Sequence, residues 1–346
     1  MRVLVTGSDG YIGAILGPDL MKRGFDVVGC DTGYYAAGWL YPSPDPMPMS
    51  IRKDIRAITA EDLAGFDAVV HLAELSNDPL GQHDPHITYK INHEGTLSLA
   101  RAARRAGIRR FVYTSSCSVY GAANGDYEFV DETTPPNPQT AYAECKVKVE
   151  QDLGAMAGDN FAPCFLRNAT AYGASPRMRF DIVLNNLCGH AMTSGEIRLT
   201  SDGTPWRPLV HVKDICQAIR LSLMAPEDDI RGQIFNVGDT DSNYRIIDVA
   251  TIVSETFPGC KLTVGESDGD NRSYKVGFDK IRRVLPGFKC EWTPERGARQ
   301  LRTLFEAIHL TEEDFNAAPY TRLKILLQNK DKKLLDSELC WTLPVV

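Results

Sequence analysis

The stretch VLVTGSDGYIGAIL, residues Val3–Leu16, decides the fold of this chain. An apolar run typical of a buried strand leads directly into three glycines, Gly7, Gly10 and Gly13, and then into a helical pattern. Backbone N–H groups at a glycine-rich helix start form an anion site that suits a pyrophosphate. The G-x-x-G-x-x-G spacing differs from the G-x-G-x-x-G dinucleotide fingerprint, so its position between a strand and a helix carries the prediction.

The first half of the chain alternates strand-like and helix-like segments. Near-continuous apolar runs predict parallel strands that are covered on both faces, and amphipathic stretches predict the helices that cover them. The pattern indicates an α/β fold, a Rossmann-like doubly wound parallel sheet with right-handed crossovers. The predicted strands are Arg2–Thr6, Asp26–Cys30, Asp67–Leu72, Arg110–Ser115 and Ala162–Asn168, and the predicted helices are Tyr11–Arg23, Pro85–Ala106 and Ala141–Ala155.

Composition narrows the class of protein. A hydrophobic content of 43% with 24% charged residues is ordinary for a globular protein, and a net charge of −7 argues against nucleic acid as the main partner. The N-terminus leads straight into a strand, and no apolar run approaches the length of a membrane span. The nine cysteines include no C-x-x-C pair, which argues against a zinc site or a disulfide framework. These features predict a reduced cytoplasmic enzyme without a metal or a membrane segment.

An acidic residue ends the second predicted strand region. Asp31 lies about twenty residues beyond the glycines, where a carboxylate accepts hydrogen bonds from both ribose hydroxyls and repels a 2′-phosphate. No Arg or Lys follows in TGYYAAGWLY, so NAD is favoured over NADP as the cofactor. Asp54 in the KDIR stretch is a candidate hydrogen-bond partner for the adenine.

The length of 346 residues predicts more than one structural unit, because a single hydrophobic core stops growing below that size. We expect an NAD-binding Rossmann domain at residues 1–168. A smaller α/β lobe for the substrate is expected at 169–310, with some segments returning to the first domain. A charged, helical C-terminal tail is expected at 311–346. The proline-rich segment 41–49 predicts an irregular loop.

A tyrosine lies four residues before a lysine in TAYAECK, at Tyr142 and Lys146. The helical spacing places both on one face, and the preceding strand ends in Ser115 and Ser116, which should reach the ligand crevice. A phenol has a pKa near 10, and lowering it by about three units requires roughly 4 kcal/mol of differential interaction. A nearby ammonium and a positive nicotinamide ring can supply this together, while Ser116 shares the reacting oxygen of the substrate.

The same spacing occurs once more, at Tyr320 and Lys324 in YTRLK. This second copy lies in the charged tail and has neither a partner strand nor a serine pair. We interpret it as an ordinary pair on a helix surface.

Several motifs together resemble one family, the extended short-chain dehydrogenases/reductases that act on nucleotide sugars (UDP-galactose 4-epimerase-like). The resemblance spans roughly Arg2 to Leu310. It implies NAD as cofactor, a nucleotide-diphosphate sugar as substrate, and a homodimer formed through the helices Pro85–Ala106 and Ala141–Ala155. The segments that carry it are TGSDGYIG, HLAELS, INHEGT, SSCSVYG, YAECK, WRPLVHVKDI, FNVG and RSYKVGFDKI.

The resemblance also implies a role for individual residues. The implied catalytic residues are Ser116, Tyr142 and Lys146. The implied cofactor-binding residues are Gly7, Gly10, Tyr11, Ile12, Gly13, Asp31, Asp54, Ile55, Leu72, Ala73, Asn92, Ser115, Tyr142 and Lys146. The implied substrate-binding residues are Glu74, Ser76, Ser116, Cys117, Asn168, Thr170, Asn186, Arg207 and Arg272.

The chain departs from the family pattern at three places. Cys117 and Ser118 stand where 4,6-dehydratases of the family carry an Asp-Glu pair, which argues against that dehydration, and Cys117 is expected to be a small packed residue. Thr170 stands where the family has a substrate-binding asparagine, and Glu74 stands where a small residue commonly faces the sugar. The last two departures leave the identity of the sugar open.

The motifs favour an NAD-dependent nucleotide-sugar 4-epimerase that acts by transient hydride transfer through a 4-keto sugar. The same site would also serve a nucleotide-sugar 4-ketoreductase or dehydrogenase, or a UDP-uronate decarboxylase. An alternative of another class is a non-catalytic NAD-sensing protein, because a fold does not imply an activity.

Overall fold

The computed structural model describes residues 1–76, 83–121, 128–266 and 273–342. Its strands are β1 (Arg2–Thr6), β2 (Asp26–Asp31), β3 (Met49–Arg52), β4 (Ala68–His71), β5 (Arg110–Ser116), β6 (Ala162–Asn168), β7 (Thr170–Tyr172), β8 (Glu196–Leu199), β9 (Trp206–His211), β10 (Gln233–Val237), β11 (Asn243–Arg245) and β12 (Lys261–Val264). Within these ranges, no helix is both long and apolar enough to cross a membrane.

The described helices alternate with the strands in the first half of the chain and cluster in the second. They are α1 (Gly13–Lys22), α2 (Pro85–Thr88), α3 (Thr96–Arg105), α4 (Ala141–Ala155), α5 (Val183–Thr193), α6 (Val212–Met224), α7 (Glu227–Ile230), α8 (Ile246–Thr256), α9 (Asp279–Val284), α10 (Pro294–Ala307), α11 (Glu312–Asn316) and α12 (Arg322–Asp331).

The central sheet has seven parallel strands in the order β3-β2-β1-β4-β5-β6-β10. The predicted doubly wound parallel sheet and its five predicted strands are confirmed. Helices on both faces bury nearly every side chain of β1, β4, β5 and β6, which explains the continuous apolar runs in their sequences. The order in which the chain adds strands to the sheet reverses between β1 and β4. Ligands of such sheets bind at the carboxyl ends of the strands beside that point.

The second half of the chain builds two smaller sheets and returns to the first. One small sheet has the order β11-β9-β7, and the other pairs β12 with β8. Helices α5, α8 and α10 pack around them in a second apolar core. Strand β10 pairs with β6 in the central sheet, and α6 packs on α1. The expected domain boundaries stay predictions.

The predicted helix Pro85–Ala106 is a continuous helix that changes from α- to π-helical turns and back. Helix α2 continues into π-helical turns at Tyr89–Gly95 and then into α3. Helix α4 has the bounds that the sequence predicted, and Thr140 caps it by accepting a hydrogen bond from the backbone N–H of Ala143 at 3.2 Å. A π-helical insertion of this kind is frequent at functional sites.

The last described part of the chain, residues 311–342, is called here the C-terminal segment. Its apolar side chains Leu326, Leu335 and Leu339 form a separate small core with Tyr34 after β2 and Leu75 after β4. The indole N–H of Trp341 donates to the Thr32 carbonyl at 2.7 Å. The C-terminal segment therefore lies against the loops at the carboxyl ends of β2 and β4.

Candidate active site

Two adjoining cavities open at the carboxyl ends of the central strands. The first, called the glycine-loop cavity, has about 910 Å³ of empty space, and the second, called the tyrosine cavity, has about 1370 Å³, both counted out to solvent. The two cavities are continuous, since they share the lining residues Ile12, Leu72, Glu74, Ser76, Ala171 and Arg179.

The glycine loop closes tightly between β1 and α1. Gly7 has a φ of +71° and donates its N–H to the Cys30 carbonyl at 2.8 Å. A Cβ on Gly13 would lie 2.4 Å from the Gly7 carbonyl oxygen, so only glycine fits there. No side chain caps the start of α1, and among the described residues the backbone N–H groups of Ile12 and Gly13 donate to no protein acceptor, so these two remain available to an anion at this cavity. The next three N–H groups of the helix already donate to backbone carbonyls.

Sequence-predicted cofactor residues line the glycine-loop cavity together. They are Gly7, Gly10, Tyr11, Ile12, Gly13, Asp31, Asp54, Ile55, Leu72 and Ala73. The phenol of Tyr11 donates to the Gly173 carbonyl at 2.6 Å, so this ring joins the loop to the second half of the chain.

The two aspartates that line this cavity, Asp31 and Asp54, are already hydrogen-bonded. Asp31 accepts from the backbone N–H of Gly33 at 2.8 Å and of Asp9 at 3.1 Å, and burial raises the pKa of its carboxyl. Asp54 forms an ion pair with Arg56 at 2.6 Å. Asp31 thus has oxygen lone pairs left for ribose hydroxyls, whereas Asp54 is held mainly by the guanidinium.

Tyr142, Lys146 and Ser116 meet at the tyrosine cavity. Lys146 lies four residues after Tyr142 on α4, and its Nζ is 5.3 Å from the centroid of the Tyr142 ring. Ser116, the last residue of β5, accepts a hydrogen bond at its Oγ from the backbone N–H of Ser118 at 3.1 Å. The hydroxyl hydrogen of Ser116 therefore remains for an oxygen in the cavity.

A buried carboxylate accompanies the lysine. Glu74 forms an ion pair with Lys146 and accepts a hydrogen bond from the phenol of Tyr113 at 2.6 Å. Burial lowers the pKa of Lys146, but Glu74 and Tyr142 raise it more, so the pKa is raised overall and the amine stays an ammonium. Burial likewise raises the pKa of Glu74, against the opposing effect of Lys146.

Ser115 and Cys117 line the tyrosine cavity but direct their polar atoms into the protein. The Ser115 hydroxyl donates to Glu150 at 2.6 Å, and Glu150 also forms a buried ion pair with Arg167. The Cys117 thiol donates to the Arg167 carbonyl at 3.2 Å, and burial raises the pKa of this thiol. Neither group has the exposure or the acidity expected of a general acid or base.

Asn168, Thr170 and Arg207, which the sequence predicted to bind the substrate, line the tyrosine cavity. The Asn168 amide donates to the Ser115 carbonyl at 3.4 Å, while its Oδ1 is buried without a hydrogen-bond partner. Buried polar atoms rarely remain unsatisfied, so a polar group that enters the cavity could satisfy this oxygen. The Arg207 guanidinium donates to the Trp206 carbonyl at 2.9 Å.

Residues 3–238 match the family model described as "NAD dependent epimerase/dehydratase family". The chain belongs to this family. The resemblance predicted from the sequence motifs is confirmed. NAD-dependent chemistry is thus a property of the family to which this chain belongs.

Relatives and solved structures of the epimerase/dehydratase family agree with this assignment. A UDP-glucose 4-epimerase of Mycolicibacterium smegmatis is 32% identical over 85% of this chain and 94% of its own. One from Corynebacterium glutamicum is 28% identical over 88% of this chain and 94% of its own. The structure of MoeE5 in complex with UDP-glucuronic acid and NAD is 28% identical, with a TM-score of 0.74, and covers 89% of this chain and 100% of its own.

Two predicted residues of the described ranges, Asn92 and Asn186, are not brought to the walls of either cavity. Asn92 is fully buried, and its amide bonds both the N–H and the carbonyl of Leu75, at 2.8 and 3.0 Å. Asn186 donates to the Phe180 carbonyl at 2.9 Å and lines neither cavity. Arg272 lies outside the described residues.

Two arginines of the site were missed by the sequence analysis. Arg179 forms an ion pair with Asp181 at 2.8 Å, donates to Ser76 at 3.2 Å, and lines both cavities. Arg322 comes from the C-terminal segment, outside the residues that match the family model, and lines the glycine-loop cavity. The spacing R-x-R before a carboxylate was a signal for Arg179, whereas Arg322 had none.

The second tyrosine–lysine copy does not build a site. The Tyr320 phenol donates to the Trp39 carbonyl at 3.4 Å, and its ring packs on Phe180. Lys324 is exposed on α12. The arginine between them, Arg322, lines the glycine-loop cavity.

The glycine-loop cavity fits NAD. The uncapped start of α1 suits the diphosphate, and a Cβ on Gly10 would meet only the Gly7 carbonyl oxygen, at 3.1 Å, so the space above it is open to a ligand. Asp31 lies at the end of β2, where a carboxylate accepts from the adenosine ribose. Glu74 lines both cavities and forms an ion pair with Lys146, which connects the tyrosine–lysine pair to the junction of the two cavities.

Proposed function

We propose that the protein is an NAD-dependent nucleotide-sugar 4-epimerase. The carrying observation is that Ser116, Tyr142 and Lys146 line one cavity that is continuous with the glycine-loop cavity. This arrangement supports the proposal that a sugar bound in the tyrosine cavity meets the nicotinamide beside an acid–base phenol. The similarity to UDP-glucose 4-epimerases over 85–88% of this chain supports the same reaction class.

Each residue of the triad has a distinct task. The Tyr142 phenolate takes the proton from the sugar 4-hydroxyl, Ser116 donates a hydrogen bond to that oxygen, and Lys146 stabilises the phenolate by its charge. The chemistry that bound NAD would supply is that of an acceptor for the C4 hydride and then a donor of it to the opposite face of the 4-keto sugar. Tyr142 then returns the proton to the oxygen, so the cycle is redox-neutral.

The nucleotide diphosphate of the substrate belongs on the Arg207 side of the tyrosine cavity. A guanidinium binds phosphate through two parallel hydrogen bonds, a geometry that lysine cannot replace. Asn168 and Thr170 lie on the same wall and are proposed to bind the sugar. Binding energy from the diphosphate, remote from C4, holds the 4-keto sugar while it turns. The proposed phosphate role of Arg272 rests on the sequence alone.

The reaction is tested with UDP-glucose that carries deuterium at C4. An epimerase keeps the deuterium and returns it in the 4-epimer, with no consumption of free cofactor. A 4-ketoreductase or dehydrogenase on the same site would move the deuterium to a cofactor that leaves. A UDP-uronate decarboxylase would release carbon dioxide from UDP-glucuronate. The NAD content of the purified protein, near one per chain for the proposed epimerase, separates recycling from exchange.

A Tyr142→Phe variant separates an enzyme from an NAD sensor. Removing a general acid–base group lowers turnover by about 10²–10⁴-fold, while NAD binding should remain. Tyr320→Phe is the matched control, because it removes the same hydroxyl from the second copy of the spacing. Unchanged turnover in Tyr142→Phe would contradict the proposed role of the phenol.

We also propose a homodimer that pairs the outward faces of α3 and α4. These faces carry the partly exposed Leu97 and Met156 in a groove bordered by Arg101 and Asp152. A second copy related by a two-fold axis would bring the same groove onto itself. Light scattering on the wild type and on Leu97→Glu tests this, and a monomeric wild type would contradict it. The cytoplasmic location remains a prediction from the sequence.

A further inference from the structure

Arg322 is a buried guanidinium without a counter-ion. Its residue is only 3% exposed, and its Cζ lies 4.0 Å from the centroid of the Tyr35 ring. Across the described ranges, no hydrogen bond or ion pair to its side chain is found. A charge buried in this way is costly unless a partner satisfies it. The side chain nevertheless lines the glycine-loop cavity, so a ligand in that cavity can reach it.

Arg179 and Arg177 place further positive charge near Arg322, and the negative charge of Asp181 opposes theirs. Burial and the neighbouring charge of Arg179 lower the pKa of Arg322 to about 10. Arg177 is also nearby, and its Nη2 is buried without a hydrogen-bond partner. The Tyr35 hydroxyl beside them is buried and has no hydrogen-bond partner either. Tyr35 and Arg322 line the glycine-loop cavity and Arg177 does not, so among the described residues two donors without a hydrogen-bond partner belong to the wall of that cavity.

The carboxylates of this region are already paired. Asp181 binds Arg179 at 2.8 Å, and Asp9 binds Arg52 at 2.7 Å. Asp31 accepts two backbone N–H groups. Arg322 therefore has no carboxylate to itself, and an anionic ligand in the cavity would supply a counter-charge.

We propose that Arg322 binds the diphosphate of the bound dinucleotide, and that the C-terminal segment thereby forms part of the cofactor site. The negative charge of NAD lies on its diphosphate, and the uncapped start of α1, which suits the same group, lines the same cavity. The Tyr35 hydroxyl stands beside the guanidinium as a second donor. The inference rests on the proposed NAD binding, and not on the sugar reaction.

The segment that delivers Arg322 is held by contacts of its own. Asn329 donates to the Tyr34 carbonyl at 3.3 Å, and Arg56 donates to the Glu338 carbonyl at 2.9 Å. Tyr34 and Tyr35 lie in the loop that follows β2, the strand that ends at Asp31. The same loop therefore positions both the Asp31 carboxylate, which is proposed to bind the ribose, and the Arg322 guanidinium. This explains how a residue near the C-terminus reaches a site built by the first strands.

The test compares ligand affinities of the wild type, Arg322→Gln, Arg322→Lys and the control Lys324→Gln. Lys324 is exposed on the same helix and lies two residues away. The probes are NAD, ADP and adenosine, measured by calorimetry without any sugar. We expect Arg322→Gln to weaken NAD and ADP by roughly 10- to 100-fold, the range for a lost hydrogen bond to a charged group, and to leave adenosine unchanged. Arg322→Lys should recover part of the loss.

Thermal unfolding of the NAD-free proteins guards against a simple folding defect. We expect Arg322→Gln to melt at or above the wild-type temperature, because it removes an unpaired buried charge, while the stabilisation by added NAD shrinks. Unchanged affinity for NAD and ADP, or an equal loss for adenosine, would overturn the inference. If the wild type binds NAD and epimerises its substrate, and Arg322→Gln binds NAD with the same affinity, only this inference is refuted. A wild type that binds no NAD refutes the proposed function as well.

Discussion

Glu74 shows how one residue sets the charge of the active site. Its carboxylate lies between Lys146 and Tyr113, and all three side chains are buried. The pair keeps the lysine protonated in the absence of a ligand, where burial alone would favour the neutral amine. A glutamate facing the sugar was expected here from the sequence, but the structure directs it to the lysine.

Replacing Glu74 by glutamine should destabilise the NAD-free protein by about 3 kcal/mol, because it leaves the Lys146 ammonium buried without its counter-charge. The double variant Glu74→Gln/Lys146→Met should recover most of that loss. Urea unfolding of the two single variants and the double variant measures this coupling. Additive losses would show that the two side chains do not interact.

His71 makes stability depend on pH. It ends β4, bonds Thr6 and Thr96 through its two ring nitrogens, and burial, followed by the charge of Lys146, lowers its pKa from 6.5 to about 3. The unfolded chain gains a proton below pH 6.5 and the folded chain does not, so stability falls as pH falls. Between pH 7.5 and 5.5 the loss from this residue is about 1.4 kcal/mol.

Urea unfolding at these two pH values tests the role of His71. His71→Gln should lose less stability on acidification than the wild type, by about 1.4 kcal/mol. Comparing each protein with itself at the two pH values removes the packing cost of the substitution. Equal pH dependence of the two proteins would mean that the imidazole protonates in the folded state.

At the scale of elements, the π-helical turns between α2 and α3 hold the loop after β4. Asn92 lies in these turns and bonds both backbone groups of Leu75. Leu75 stands between Glu74 and Ser76, which line both cavities. The π-helical turns thus place the Asn92 amide against the loop after β4. Without it, the backbone N–H and carbonyl of Leu75 would be buried and unsatisfied.

Asn92→Ala should lower the free energy of unfolding by about 2–4 kcal/mol, because each unsatisfied backbone group costs about 1–3 kcal/mol. Asn186→Ala is the matched control, since it removes one hydrogen bond at a partly exposed position. Its expected cost is about 1 kcal/mol. Urea unfolding compares the two variants. Similar losses of unfolding free energy would contradict the proposed role of Asn92 in holding the loop at Leu75.

On the scale of the whole molecule, the C-terminal segment and the glycine loop are joined through the cofactor site. We expect bound NAD to slow amide hydrogen exchange in α12, because a ligand that binds only the closed arrangement raises the free energy of local opening. Strands β8 and β12 line neither cavity and serve as the internal control. If bound NAD left the hydrogen-exchange rates of α12 unchanged, the C-terminal segment would not be part of the cofactor site.

Much of the fold was readable because its signals are local. Buried parallel strands need continuous apolar runs, and the five predicted strands carry them. Strand β3 was missed because it is an exposed edge strand, with Met49 at 74% exposure, directly after a proline-rich stretch. Strand β10 was missed because it follows the second lobe in sequence and returns to the sheet only in space.

The sequence by itself determined the sheet, the glycine loop and the tyrosine–lysine pair, because strand patterns and helical spacing act between near neighbours in the chain. The tertiary structure alone decided which charges meet. It placed Glu74 against Lys146 and brought Arg322 across the whole chain to the glycine loop. Such pairings depend on distances between elements that are remote in sequence, and on burial that makes an unpaired charge costly.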